Sequence, residues 1–193
     1  MQPGYRGLED VITMVETPNR EGVRKLYTVN AQLFSQARGS TRKHQAWPGG
    51  YLDHVVDACN VGLVLYNGLA GCRPLPFSRS DVMLVMLLHD VEKPWKYIQE
   101  GGEWVRSEAL RERKDAWALQ LAKITEYGIV LDERQLNALK YVEGENDDYS
   151  SKGRVMNELA ALCHCADIVS ARLWYEYPKA DDPWMGAGRV GTD

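Results

Sequence analysis

Four potential metal ligands stand within or beside apolar stretches of the sequence: His54, His89, Asp90 and Asp167. A buried charge is costly unless it is paired, so each carboxylate in such a place needs a partner. One divalent ion shared by the four would satisfy all of them. Neighbouring helical residues project about 100° apart, so His89 and Asp90 can hold one ion from two sides. Imidazole and carboxylate ligands suit Mn²⁺, Co²⁺, Ni²⁺, Fe²⁺, Zn²⁺ or Mg²⁺, and the sequence does not choose among them.

Three segments around these residues share a recognisable pattern. Residues 43–54 read KHQAWPGGYLDH, residues 87–94 read LLHDVEKP, and residues 165–167 read CAD. With the order His, His-Asp, Asp, they resemble the HD superfamily of metal-dependent phosphohydrolases. The resemblance covers about residues 20–175. It is to a branch with the segments HHAYPGGLLEH and LLHDLGKP, which includes 3′-to-5′ exoribonucleases.

Some positions depart from the family pattern. Glu92 stands where the family has glycine, and Gln45 stands where it has a second histidine. Two-metal members carry additional histidines before the last aspartate, whereas residues 141–146 contain none. The resemblance therefore implies one metal ion, unless Glu143 or Glu145 replaces a histidine ligand.

The resemblance implies hydrolysis at phosphorus, and the residues beside the ligands suit that chemistry. A divalent ion lowers the pKa of a coordinated water and polarises a phosphoryl oxygen. We expect Lys93 to neutralise charge on the phosphoryl oxygens. Glu92 is a candidate general base or water-orienting group. His44 is a candidate substrate contact or proton donor to the leaving oxygen. For Lys93 and Glu92, the alternative is a solvent-exposed side chain after the end of a helix. For His44, the alternative is packing against neighbouring side chains without a role in the site.

A local excess of basic residues precedes His44. Arg38, Arg42 and Lys43 lie close to the first motif and are candidates for contacts to substrate phosphates. Trp47 and Trp95 flank the two motif segments, where either could stack on a nucleobase. Core packing is the alternative for at least one of these two indoles.

Helical periodicity predicts the elements that carry these residues. Apart from a loop at Gly101-Gly102 that could form the tip of a small hairpin, strand signals are almost absent. The pattern predicts an all-α fold of six or seven helices, and with the resemblance a single compact HD-type domain over 1–177, followed by a tail over 178–193. The main predicted helices are 21–37, 51–69, one capped by Ser80 and ending near His89, 107–127, one capped by Asp132, and 155–174.

Composition restricts the class of protein. The chain has 193 residues, 45% of them hydrophobic and 26% charged, and a formal net charge of −4. These values are typical of a globular domain and do not favour a general nucleic-acid or membrane-surface binder. The N-terminus lacks the apolar region of a signal peptide, and no run of 18 apolar residues occurs. We therefore expect a cytoplasmic protein.

The leading functional hypothesis is hydrolysis of a phosphate ester or anhydride in a mono-, tri- or cyclic nucleotide. The first alternative is a 3′-to-5′ exonuclease on single-stranded nucleic acid, which the acidic net charge disfavours. The second is a non-catalytic HD module that binds or senses a nucleotide. The expected partner is a small phosphorylated substrate, with nucleic acid only as a substrate and no membrane. A homo-oligomer is possible, but the sequence shows no heptad repeat that would predict one.

Overall fold

A computed structural model describes residues 4–177 and Trp184. Helices account for most of this part of the chain, and the predicted all-α class is confirmed. A two-stranded antiparallel hairpin is its only sheet. The helices are α1 Leu8–Thr13, α2 Asn19–Val29, α3 Ala31–Gln36, α4 Gly50–Ala70, α5 Arg79–Leu88, α6 Lys93–Lys96, α7 Arg113–Glu126, α8 Glu133–Tyr141 and α9 Glu158–Ile168; the strands are β1 Tyr97–Glu100 and β2 Glu103–Arg106.

The centre of the fold is the pair α4 and α5, and α9 packs against both. α5 is buried along almost its whole length, from Val82 to Leu88. Most of the first half of α4 is buried, including the polar residues His54, Asp57 and Asn60. One hydrophobic cluster joins these helices to α1, α2 and α8. The core therefore surrounds the helix segments that carry His54, His89 and Asp167.

The entry to α4 depends on two glycines. Gly49 precedes the helix with φ 84°, a left-handed conformation that favours glycine. A Cβ on Gly50 would lie 1.9 Å from the carbonyl oxygen of Gln45, so no larger residue fits there. The Pro-Gly-Gly run thus lets the preceding loop fold tightly over the first turn of α4.

The beginning of α5 differs from the prediction. Ser78, not Ser80, is the N-cap, and its Oγ accepts a hydrogen bond from the backbone N–H of Asp81. The Asp81 carboxylate accepts one in return from the backbone N–H of Ser78. Ser80 instead accepts a hydrogen bond from the N–H of Glu16. Serine is a common N-cap residue, so both positions were plausible. Ser78 is the N-cap because Asp81, at the third helical position, forms the reciprocal hydrogen bond with it.

Three predicted helices have different bounds. The 21–37 segment breaks at Asn30, whose amide donates to the carbonyl of Leu26 and to Tyr127 Oη. The helix predicted from Ser107 starts at Arg113, after a short 3₁₀ turn. The last helix starts after the N-cap Asn157 and widens into a π-helical turn over Val169–Leu173. At Asn30 and Asn157, side-chain hydrogen bonds to the backbone compete with continuation of the helix.

Two other predictions are confirmed. Asp132 caps α8, since its side chain accepts from the N–H of Gln135. Gly101 and Gly102, with φ of 57° and 85°, form the tip of the β1–β2 hairpin, in which Tyr97 pairs with Arg106. Two successive residues with positive φ are typical of tight hairpin turns.

Most of the predicted tail, 178–193, lies outside the described residues. Trp184 is described, and its indole packs against the rings of Tyr5 and Trp174. No helix in the described residues is both long and apolar enough to span a membrane.

Candidate metal centre

The predicted ligands come from three helices that meet in the core. His54 lies in the buried half of α4, His89 and Asp90 lie directly after α5, and Asp167 lies near the end of α9. His54, His89 and Asp90 are almost fully buried, and the Asp167 side chain is 16% exposed. His54, His89 and Asp167 each offer one ligand atom, all within 4.8 Å of one another, so this group could hold a metal ion.

The two carboxylates both approach the pair of imidazoles closely. His54 Nε2 lies 3.1 Å from His89 Nε2, 3.2 Å from Asp90 Oδ2 and 3.2 Å from Asp167 Oδ1. His89 Nε2 lies 3.3 Å from Asp90 Oδ2 and 3.6 Å from Asp167 Oδ1. Ligands at ordinary bond lengths from one ion, in tetrahedral or octahedral arrangement, are about 2.8–3.6 Å apart. The spacing of the His54, His89 and Asp167 atoms therefore fits a single ion, and Asp90 Oδ2 lies within the same range of both imidazoles.

The hydrogen bonds around the histidines leave lone pairs facing the two carboxylates. His89 Nδ1 lies 2.7 Å from the carbonyl oxygen of Met86, which can only accept, so Nδ1 carries the proton in the neutral ring. In this neutral form, which a metal ligand needs, His89 Nε2 presents a lone pair to His54 Nε2 and the carboxylate oxygens, whereas without an ion Asp90 and Asp167 favour the protonated ring. Electron-rich atoms in contact repel each other, so either a proton on an imidazole or a metal ion must lie among them. The donor set and its arrangement fit a divalent metal.

The charges of the cluster perturb its carboxylates. Burial alone would raise the pKa of Asp90, but the positive charges of Lys93 and His89 hold it well below its usual value. Burial opposes ionisation of Asp167 too, but hydrogen bonds from His54 and His89 lower its pKa. Burial lowers the pKa of His89, but the neighbouring Asp90 and Asp167 raise it well above the usual value. Both aspartates are thus ionised at neutral pH, as metal ligands must be.

Residues outside the ligand set orient it. Ser170 Oγ lies 3.2 Å from His54 Nδ1. Gln120 donates from one amide nitrogen to the carbonyls of Leu88 and His89, each at 2.8 Å, and so fixes the end of α5. Trp184 Nε1 donates to Asp57 Oδ1 at 2.9 Å, one turn of α4 away from His54. Ser170, Gln120 and Asp57 were not predicted from the sequence, although an aspartate in the apolar stretch three residues after His54 was a usable signal.

Lys93 and Glu92 follow the ligands directly and are both buried. The Lys93 ammonium contacts Asp90 Oδ2, and Asp167 and Glu143 also raise its pKa against the effect of burial. Glu92 Oε1 lies 3.3 Å from Lys96 Nζ, whereas Oε2 is buried without a hydrogen-bond partner in the described residues. Burial and the charge of Asp90 raise the pKa of Glu92. A small cavity of about 50 Å³ lies between Glu92, His89 and Glu143 and has room for water.

His44 lies beside the ligand His54, with ring centroids 4.8 Å apart. Its Nδ1 donates to Gln45 Oε1 at 2.8 Å. The orientation of the Gln45 amide is fixed because its nitrogen donates to the carbonyls of Ser170, Trp174 and Tyr177. Burial and the charge of Lys93 lower the pKa of His44 to about 4. His44 is therefore neutral at pH 7 with Nε2 as an acceptor, which favours a substrate contact over proton donation.

A cavity of about 620 Å³ opens beside the candidate metal ligands. Asp167, Lys93 and His44 belong to its lining, and so does His164, whose Nδ1 donates to the carbonyl of Val142. The charged residues of its described lining are mostly cationic: Lys43, Lys93, Lys96, Arg106, Arg111, Arg113 and Arg172, against Glu143 and Asp167. A local basic cavity in a chain of net charge −4 indicates an anionic ligand.

Several predicted substrate contacts lie elsewhere. Lys43 lines the cavity, but Arg38 and Arg42 do not. The Arg38 guanidinium lies over the Trp104 ring, 5.0 Å from its centroid. Trp47 Nε1 donates to Asp53 Oδ2, and Trp95 packs against Phe34 in the core, so neither indole faces the cavity. Glu145 accepts a hydrogen bond from the N–H of Met156, whereas Glu143 lies at the cavity.

Neither a protein-family model, nor a characterised protein, nor a solved structure matches the chain. The likeness to the HD superfamily therefore rests on the three sequence segments alone.

Proposed function

We propose that this chain is a metal-dependent phosphohydrolase of the HD type that hydrolyses a phosphate ester or anhydride of a nucleotide. The observation that carries this proposal is a pair of imidazoles 3.1 Å apart that two carboxylates approach at 3.2–3.6 Å, at the edge of a basic cavity. A phosphoryl group is the anionic ligand for which a divalent ion next to lysine and arginine side chains is suited.

The residues divide the chemistry between them. His54, His89, Asp90 and Asp167 would hold the ion, which supplies Lewis-acid activation of water and of a phosphoryl oxygen. Lys93, fixed against Asp90, neutralises charge on phosphoryl oxygens that enter the cavity. Glu92, with one free buried oxygen beside a water-sized cavity, orients a water molecule or accepts its proton. His44 accepts a hydrogen bond from the substrate through Nε2.

The first test is the metal content of the purified protein, followed by a phosphatase screen with Mn²⁺, Co²⁺, Ni²⁺, Mg²⁺ and a chelator control. The substrates are deoxy- and ribonucleoside mono- and triphosphates, cyclic nucleotides and a short single-stranded oligonucleotide. We expect about one metal ion per chain and chelator-sensitive phosphate release from one class of nucleotide. Shortening of the oligonucleotide alone would favour the exonuclease, and bound metal without turnover would favour a nucleotide-binding module.

Substitution of a ligand tests the site assignment. We expect Asp167→Asn to lose the bound metal and to reduce kcat/KM by at least about a hundredfold, because metal activation contributes several kcal/mol to the barrier. The matched control is Asp147→Asn, an exposed aspartate that lies outside the cavity. Circular dichroism checks that both variants keep their helix content. Full activity and metal content in Asp167→Asn would refute the site.

A further inference from the structure

The basic cavity contains more cationic groups than one phosphoryl group needs. Arg106 ends β2, Arg111 follows the 3₁₀ turn, and Arg113 begins α7; we call these three arginines the basic wall. All three are exposed and line the cavity that also contains Lys93 and Asp167. Lys93, which contacts Asp90, is the cation that the proposed function assigns to a phosphoryl group beside the candidate metal ligands. The basic wall therefore requires a different explanation.

The wall is available for an external anion. Arg111 pairs with Glu108 at 3.1 Å, but both side chains are more than half exposed, so this pair is weak. Arg106 and Arg113 have no carboxylate within ion-pair distance in the described residues. Guanidinium groups bind phosphates through paired N–H donors, and three of them in one wall match a run of phosphates.

The lining also argues against a long nucleic acid. Proteins that bind single strands combine a basic groove with aromatic platforms on which bases stack. Tyr97 is the only aromatic side chain in the described lining, apart from the histidines. A volume of about 620 Å³ suits a small ligand.

We propose that the basic wall binds the phosphate chain of a nucleoside di- or triphosphate, so that the substrate carries phosphates beyond the one at the metal ligands. This assignment of substrate class rests on the proposed phosphohydrolase function. It assigns a specificity role to the hairpin and to the start of α7, two elements that contribute no metal ligand.

The test is calorimetric titration of the whole 193-residue chain, with its bound metal, against inorganic tripolyphosphate and orthophosphate. Metal content is measured again afterwards, so that chelation by polyphosphate is not counted as binding. We expect tripolyphosphate to bind at least about tenfold more tightly, because each charge-assisted hydrogen bond contributes about that factor or more. The Arg106→Gln/Arg113→Gln variant should lose this preference.

The matched control is Arg73→Gln/Arg79→Gln, which removes two exposed arginines outside the cavity and should keep the preference. Equal affinity for the two anions, or an unchanged preference in Arg106→Gln/Arg113→Gln, would overturn the inference. So would wall-dependent binding of a single-stranded oligonucleotide without binding of tripolyphosphate. If nucleoside monophosphates are hydrolysed but tripolyphosphate is not preferred, the role of the basic wall is contradicted and the proposed function is not. If tripolyphosphate binds to the basic wall but no nucleotide is hydrolysed, the proposed function is contradicted and the role of the wall is not.

Discussion

At the scale of single residues, the candidate site consists of buried charges, and each of them needs a partner. Histidines and aspartates inside apolar runs are conspicuous for that reason, and Asp90 and Asp167 each lie 3.2 Å from His54 Nε2, which in turn contacts His89. Ser170 and Gln120 gave no such signal, since serine and glutamine occur anywhere on helices. Their roles depend on which atoms lie opposite them once the helices have packed.

Asp57 provides a prediction about pH. Burial raises the pKa of this fully buried carboxyl to about 6 against the lowering effects of Ser170, Trp184 and His54. The folded state then binds the proton more tightly than the unfolded state, whose pKa is near 3.8. Its contribution to stability is therefore full below pH 4 and is lost as the pH rises to about 6.

We expect Asp57→Asn to remove this loss of stability at neutral pH, because an asparagine side chain does not ionise. In chelator, the variant should exceed the wild type by about 2–3 kcal/mol in free energy of unfolding at pH 7.5, and by much less at pH 4. Urea titrations at both pH values measure the difference, with Asp147→Asn as the exposed control. If Asp57→Asn is no more stable at pH 7.5, a positive charge in the cluster holds Asp57 ionised.

Elements were predicted better in type than in extent. The long apolar runs identified α4 and α5, and the two glycines identified the hairpin. The ends of the helices were less predictable, because Asn30 and Asn157 form hydrogen bonds that depend on neighbouring elements or on local competition with the backbone. The basic wall was missed for a similar reason: its arginines alternate with Glu103, Glu108 and Glu112 in the sequence, and only the fold separates the two signs.

The cap of α5 can be tested directly. Ser78→Ala removes the acceptor for the Asp81 N–H at the start of the helix that leads to His89. We expect the free energy of unfolding to fall by about 1 kcal/mol in a urea titration. Ser151→Ala, at an exposed loop position, should change it by less than about 0.5 kcal/mol. Equal effects of the two substitutions would show that the cap contributes nothing specific.

At the scale of the whole molecule, three separate helices supply the proposed ligands, so metal binding should stabilise the fold. An ion at about 100 times its dissociation constant contributes about 2.7 kcal/mol. For a chain of this length, that corresponds to an increase of about 5–10 °C in Tm. Thermal unfolding with Mn²⁺ and with chelator measures the shift. Asp167→Asn should show none, and an equally large shift in that variant would place the ion elsewhere.

The chain enters the hairpin that carries Arg106 after α6 and leaves it before α7, and the Trp104 ring of the hairpin lies against the Arg38 guanidinium. In the described structure it provides no metal ligand and pairs with no other strand. It is therefore a segment that can be exchanged as a unit. A backbone hydrogen bond of 2.8 Å links Lys96 and Ser107 at the base of the hairpin. Hairpins of other length or charge, inserted between these two residues, would change the anion selectivity and leave the candidate metal ligands unaltered.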